Sequence, residues 1–212
     1  ASTNGDVPAY VLIGYPSVAR GPGYLGPRYG HLYLTDAETG PVALTPSREL
    51  ANSRRWRRQK LVQTLRDSAV AEDTRQIQEY NRIVDQADRL SSGSFMQTFD
   101  LTSESTQTRE LHGANVTTGL GKRCLLARRL IESGVHFVEV AHNLNFRNGT
   151  GWDTHYKGQL KQHLLIRELD LAVSALIIDL EQRHLLDRTL IVVATEFGRP
   201  AGFDSGGGRG HQ

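Results

Sequence analysis

Residues 189–211 read TLIVVATEFGRPAGFDSGGGRGH. From Thr189 to Thr195 every residue is β-branched or aliphatic, with no alternation of polar and apolar positions. That pattern is expected of a strand buried on both faces, as in a parallel sheet covered by helices. Polar residues begin where the strand should end: Glu196, Arg199, Asp204, Arg209 and His211, set among glycines. Open α/β sheets bind their ligands beyond the carboxyl ends of strands. The chemistry is therefore expected here.

Outward from that stretch the pattern stays regular. LGKRCLLARRLIESG (120–134) reads as a helix with Leu125, Leu126, Leu130 and Ile131 inward, closed by Gly134 as a C-terminal cap. VHFVEVA (135–141) reads as a strand, with Val135, Phe137 and Glu139 on one side and His136, Val138 and Val140 on the other. After a loop over 142–158, a long helix is expected from Gln159 to Arg183. Its apolar stripe would be Leu160, Leu164, Leu169, Ala172, Val173, Leu176, Ile177 and Leu180. A strand–helix–strand crossover puts both strand exits on one edge of the sheet. The loops carrying Asp153–His155 and Glu196–His211 are thus expected to meet.

The first half is less regular. Tyr10–Ile13 and His31–Leu34 read as short strands among turn formers, and GPGYLGPRYG (21–30) as an ordered loop. Helices are expected near 53–65 and 72–90. The second carries Ile77, Tyr80, Ile83, Val84, Ala87 and Leu90 at helical spacing. The expectation is an α/β fold with a mainly parallel sheet in a single domain, with a loop-rich and helical portion over 1–119 and a strand–helix–strand core over 120–212.

Composition narrows the class. With 38% hydrophobic and 23% charged residues in 212, the chain is globular. A net charge of +2 gives no general pull toward nucleic acid or an anionic membrane. The single cysteine, Cys124, excludes an internal disulfide and a multi-cysteine zinc site, and its helical setting suggests a buried structural thiol. No stretch approaches the roughly 18 apolar residues that cross a bilayer. The sequence starts at Ala1 rather than at Met and stops one residue after His211, so a leader or an upstream half is expected beyond it.

GWDTH (151–155) supplies Asp153 and His155, which project to one side of an extended segment. Glu196 would add a carboxylate and His211 an imidazole. Mixed sets of this kind suit zinc, manganese or iron, and catalytic sites leave one position open for water or substrate. An isolated Asp-x-His pair is often accidental; convergence with Glu196 and His211 raises a ligand role to about even. Arg199 and Arg209 are placed to bind a phosphate or sulfate, or equally to be surface residues, Arg199 pairing Glu196. GGGRG (206–210) lacks the Lys-Ser/Thr of a phosphate-binding loop, and its glycines are expected to bend the chain so as to present His211. There is no Gly-x-Ser-x-Gly elbow. Most of the other histidines read as structural or exposed, except His142, which follows the 135–141 strand and could reach the site. RRWRRQK (54–60) is a rival signal for nucleic acid, although such a run is more often the solvated face of a helix with a buried tryptophan. Asn115-Val-Thr and Asn148-Gly-Thr have the form of glycosylation sequons only.

Together ARRLIESGVHFVEV (127–140), GWDTH (151–155), the 169–199 segment, GGGRGH (206–211) and GPGYLGPRY (21–29) resemble the domain of unknown function 1501 family. The family is grouped with the alkaline phosphatase/sulfatase superfamily. The resemblance implies a three-layer α/β/α fold with a metal centre at the carboxyl edge, incomplete at its N-terminus. It implies Asp153 and His155 as ligands of one metal joined by His211, with Glu196 in place of the superfamily's aspartate. The ion would be divalent: zinc, manganese or calcium. Phe197 stands where a histidine of that pair would be, and Gly210 where the family has aspartate. The implied function is hydrolysis of phosphate or sulfate esters of small molecules or polysaccharides in a periplasmic or secreted protein, with a nucleophile supplied from a missing N-terminal part. A non-catalytic binding or surface-assembly protein keeping the same fold is the alternative.

Overall fold

The computed structural model describes residues 7–14, 21–26, 29–41, 44, 52–68, 75–113, 119–142, 151–195 and 198–211. It is an α/β protein. Three short strands, β1 (Tyr10–Ile13), β2 (Leu32–Leu34) and β3 (Phe137–Val140), form a parallel sheet in the order β2-β1-β3. The central strand comes from the turn-rich start of the chain, and Val11, Leu12 and Ile13 are fully buried there. Register pairs Leu12 with Glu139 and Tyr10 with Phe137. Tyr10 donates its hydroxyl to Glu139 Oε2 at 2.6 Å, which gives the strand's one carboxylate a partner.

The helices are α1 (Asn52–Ser68), α2 (Arg75–Ser92), α3 (Thr106–Leu111), α4 (Gly119–Glu132) and α5 (Gly158–Gln182). None is long and apolar enough to cross a membrane among the described residues. α4 is buried nearly all round because it has two packing faces. Leu126, Ala127 and Leu130 join Val11, Ile13, Leu34, Phe95 and Phe99 in the main core. Leu120 and Cys124 pack on Ala172 of α5. Burial pushes the Cys124 thiol up to about 12, as expected of an inert structural cysteine. At the end of α4, Gly134 takes φ +98 and two hydrogen bonds, Val135 N to Leu130 O and Gly134 N to Ile131 O, close a Schellman motif.

Three expectations need correction. The 189–195 run joins no strand ladder, and Leu190, Val192 and Val193 are 88%, 71% and 60% exposed. An apolar run reports what a segment could bury, but a strand also needs a neighbour to pair with, which the pattern cannot reveal. The expected stripe of α5 holds only in part: Ala172 and Leu180 are buried and Leu169 and Leu176 pack against the Leu120–Cys124–Ala172 cluster, but Leu160, Leu164 and Ile177 are exposed, and Leu165, Ala175 and Asp179 are inward instead. Trp56 of α1 is 60% exposed rather than buried, with Lys60 Nζ 5.0 Å from its ring.

Asp179 is inside because it has partners. Its carboxylate accepts from Arg128 Nε at 2.7 Å, from Arg183 Nε at 2.8 Å and contacts His112 Nε2 at 3.0 Å. The fully buried Arg128 also meets Glu104 at 2.9 Å and Glu132 at 2.7 Å. Burial alone would raise the Asp179 and Glu104 carboxyls, but the hydrogen bonds from His112, Arg183 and Arg128 on the first, and from Arg128 and Arg129 on the second, hold both below their ordinary values of 3.8 and 4.5. Depressed carboxyls stabilise the fold above their unfolded values and lose that contribution as the pH falls. Arg128→Met should therefore cost about 3–5 kcal/mol at neutral pH, because it leaves buried carboxylates uncompensated. In urea unfolding the deficit should narrow below roughly pH 4 as the carboxyls protonate. A deficit independent of pH would show that lost packing, not lost pairing, is responsible.

Candidate metal centre

The segment 151–155 is built on two successive tight bonds, Thr154 N to Trp152 O at 2.9 Å and His155 N to Asp153 O at 3.2 Å. Such i→i+2 bonds are those of consecutive γ-turns. They bring the side chains of Asp153 and His155 together on one side, and His155 Nε2 lies 2.9 Å from Asp153 Oδ1.

The glycine loop lies flat against this segment. Tyr156 and Gly207 form an antiparallel bridge. Lys157 N and Gly158 N each donate at 2.9 Å, to Gly206 O and Gly207 O, so the loop satisfies N–H groups at the start of α5. Asp204 folds the loop from within: its Oδ1 accepts from Gly206 N at 3.2 Å and Gly208 N at 3.1 Å. Gly207 has φ +73, which favours glycine. Gly208 is buried for a stronger reason, since a Cβ there would fall inside the backbone of Thr154 and His155. These glycines serve close approach of two backbones more than bending.

The loop then delivers His211. Its Nε2 is 2.9 Å from Asp153 Oδ1 and 3.2 Å from His155 Nε2. Asp153, His155 and His211 thus form a group that could hold a metal ion. A tetrahedral ion with bonds of about 2.0–2.1 Å spaces its ligand atoms roughly 3.3 Å apart, near the separations found here. The three side chains are 39%, 44% and 55% exposed, which leaves access for a further ligand or a substrate. The donor set, a carboxylate and two imidazoles, suits zinc or manganese.

Arg199, 14% exposed, donates Nη1 to Asp153 Oδ1 at 2.8 Å and lies 3.4 Å from Arg209 O. It is drawn to a member of the triad. The Arg209 guanidinium lies 4.9 Å over the Phe203 ring. Burial alone would raise the Asp153 carboxyl, but hydrogen bonds from His211 and Arg199, with the charges of His155 and Arg199, hold it below its ordinary 3.8. Asp153 is thus anionic near neutral pH.

The sequence-derived ligands Asp153, His155 and His211 come together. Glu196 lies outside the described residues, as do both sequons. The loops converge as expected, but through the Tyr156–Gly207 bridge rather than a parallel strand pair. The sequence gives Thr154 and Trp152 no role and Asp204 none either, and Gly208, expected to bend the chain with its neighbours, instead permits the close approach. Asp204 followed by glycines was the available signal, since such aspartates cap their own turn. His142 does reach the edge of the site, through Trp152.

Fold and site define an α/β protein with a parallel sheet and a three-residue group able to hold a metal. A model for a protein of unknown function, DUF1501, matches residues 1–212, and the chain belongs to that family. No curated protein and no solved structure matches the chain.

Gly208→Ala should separate the loop from Thr154–His155 and remove His211 from the triad. The expected outcome is a folded protein with metal affinity reduced about 100-fold or more, read by competition with a chromogenic chelator. Unchanged affinity would mean that the loop does not hold His211 in place.

Proposed function

We propose that the protein is a metal-dependent hydrolase of phosphate or sulfate esters, built on an alkaline-phosphatase-like α/β/α fold. The observation that carries this reading is the convergence of Asp153, His155 and His211, with the Arg199 guanidinium on Asp153. Asp153, His155 and His211 would hold a divalent ion, zinc, manganese or calcium, with Glu196 as a further ligand. When bound, the ion supplies Lewis acidity and a positive charge for an ester oxygen. Asp153 contributes negative charge to offset the ion's. Arg199 keeps that carboxylate aimed, and Arg199 and Arg209 are the cations at hand for an anionic substrate, a small molecule or a polysaccharide ester. By family resemblance the protein would work in the periplasm or outside the cell. Wild-type protein should carry metal by elemental analysis, and the Asp153→Ala, His155→Ala double variant should carry none. Equal metal content in the two would sink the reading. Bound metal with no turnover across phosphate and sulfate esters would favour a non-catalytic binding or surface-assembly protein that keeps the fold.

A second reading is favoured by one observation, the exposure of Trp56 within the basic run of α1. An exposed ring among cations can stack a base while the charges follow the phosphates. It predicts retardation of single-stranded DNA that weakens steeply with salt and is lost in Trp56→Ala. Absence of retardation at low salt discards it.

A further inference from the structure

His142 stands two residues beyond β3, with its side chain 10% exposed. Its Nδ1 accepts the indole N–H of Trp152 at 3.1 Å, and the rings meet edge to face at 5.4 Å. An indole nitrogen only donates, so Nδ1 must carry the lone pair and the proton of the neutral ring sits on Nε2. Nε2 is buried and faces Glu168 of α5, whose Oε2 is 3.3 Å away, off the line of a hydrogen bond. The residue after Trp152 is Asp153, and the Trp152 carbonyl accepts the first of the two tight bonds that shape 152–155.

These contacts join three separate parts of the chain. Glu168 belongs to the middle of α5, His142 follows the edge strand of the sheet, and Trp152 opens the ligand-bearing turn. The indole is held by the strand exit through His142, and His142 in turn faces the helix at Glu168. Fixing the plane of the indole fixes the peptide from which the Asp153 side chain leaves. Side chains that orient a metal ligand from behind contribute substantially to affinity although they never touch the ion.

We propose that Glu168, His142 and Trp152 form an anchor that orients Asp153, making His142 a positioning residue for the triad. The proposal rests on the reading of Asp153, His155 and His211 as a metal site. His142 acts as a hydrogen-bond acceptor at Nδ1, in the tautomer that the Trp152 indole N–H requires, with the Glu168 carboxylate beside its Nε2, and takes no part in coordination. Asparagine places a carbonyl oxygen near the position of Nδ1, whereas leucine fills similar space without an acceptor.

The test measures Zn2+ affinity of the full chain by chelator competition, alongside emission of Trp152 in a Trp56→Phe background. Wild-type protein should bind Zn2+. His142→Leu should bind about 10–100-fold more weakly and shift the Trp152 emission, while His142→Asn should restore both to near the wild-type values. Trp152→Phe, which keeps a ring but loses the N–H, should weaken binding as His142→Leu does, and it serves if the leucine variant does not fold. Equal affinity in wild type, His142→Leu and Trp152→Phe overturns the proposal, as does an asparagine variant no better than leucine. If wild-type protein binds no Zn2+, the metal reading fails. The emission then decides the anchor by itself: a shift in leucine but not in asparagine supports it, and no shift in either overturns it.

Discussion

The contact on which the site depends is the one between two backbones, residues 154–158 and 206–208. The segments have no room for a side chain between them, as the hypothetical Cβ at Gly206, 2.7 Å from His155 O, makes plain. Close approach lets Lys157 and Gly158 donate to glycine carbonyls, which replaces the hydrogen bonds that the start of a helix lacks. Orphaned amides at the head of α5 thus become the fasteners of a loop that holds a histidine. Glycine is required at this seam by sterics, and the folded aspartate turn at Asp204 gives the loop its shape without help from packing. The ligands sit where they do because the backbones fit.

Charge is handled in two opposite ways within one molecule. Around Arg128, which is fully buried, the Asp179 and Glu104 carboxylates are buried and paired with it, Glu132 and Arg183 close the network from its exposed margin, and the charges are consumed in holding α4 to α5. Around Asp153 the same kinds of group converge but stay part-exposed, and three donors crowd one carboxylate oxygen. Two imidazole nitrogens 3.2 Å apart cannot both point protons at each other, so at least one offers a lone pair, as a metal ligand must. Paired burial makes a structural network; converging, accessible donors make a site.

What could be read in the sequence divides along the same physical lines. That Asp153 and His155 share one side was legible because residue spacing in an extended segment is a local property, and the glycine-rich approach to His211 was legible likewise. The strands at Tyr10–Ile13 and Phe137–Val140 were legible for the same reason, and so was Gly134 as a cap. The 189–195 run misled because apolar content says nothing of a pairing partner. The convergence it was used to infer arises instead from the Tyr156–Gly207 bridge, whose long-range pairing no spacing announces. Trp56 misled in the opposite sense: an aromatic in a helix is usually buried, yet here Trp56, Leu61, Val62 and Leu65 of α1 are all exposed.

α5 shows why part of its stripe was misread and what the helix is for. It is 25 residues long, about 37 Å, and polar residues punctuate its inward side. Gly158 at its start holds the glycine loop, Glu168 faces His142, and Asp179 binds Arg128 and His112. Glu168 and Asp179 are eleven residues apart, about three full turns, so they share a face. Apolar periodicity assigns such positions to solvent, so it misses Asp179 beside the correctly inward Ala172 and Leu180. Yet a buried carboxylate with a buried arginine for a partner is as much an inward residue as leucine is. One face of α5 therefore joins the buried ion network, the anchor behind Trp152 and the seam that carries His211. The helix is the rigid element against which both ends of the ligand set are positioned.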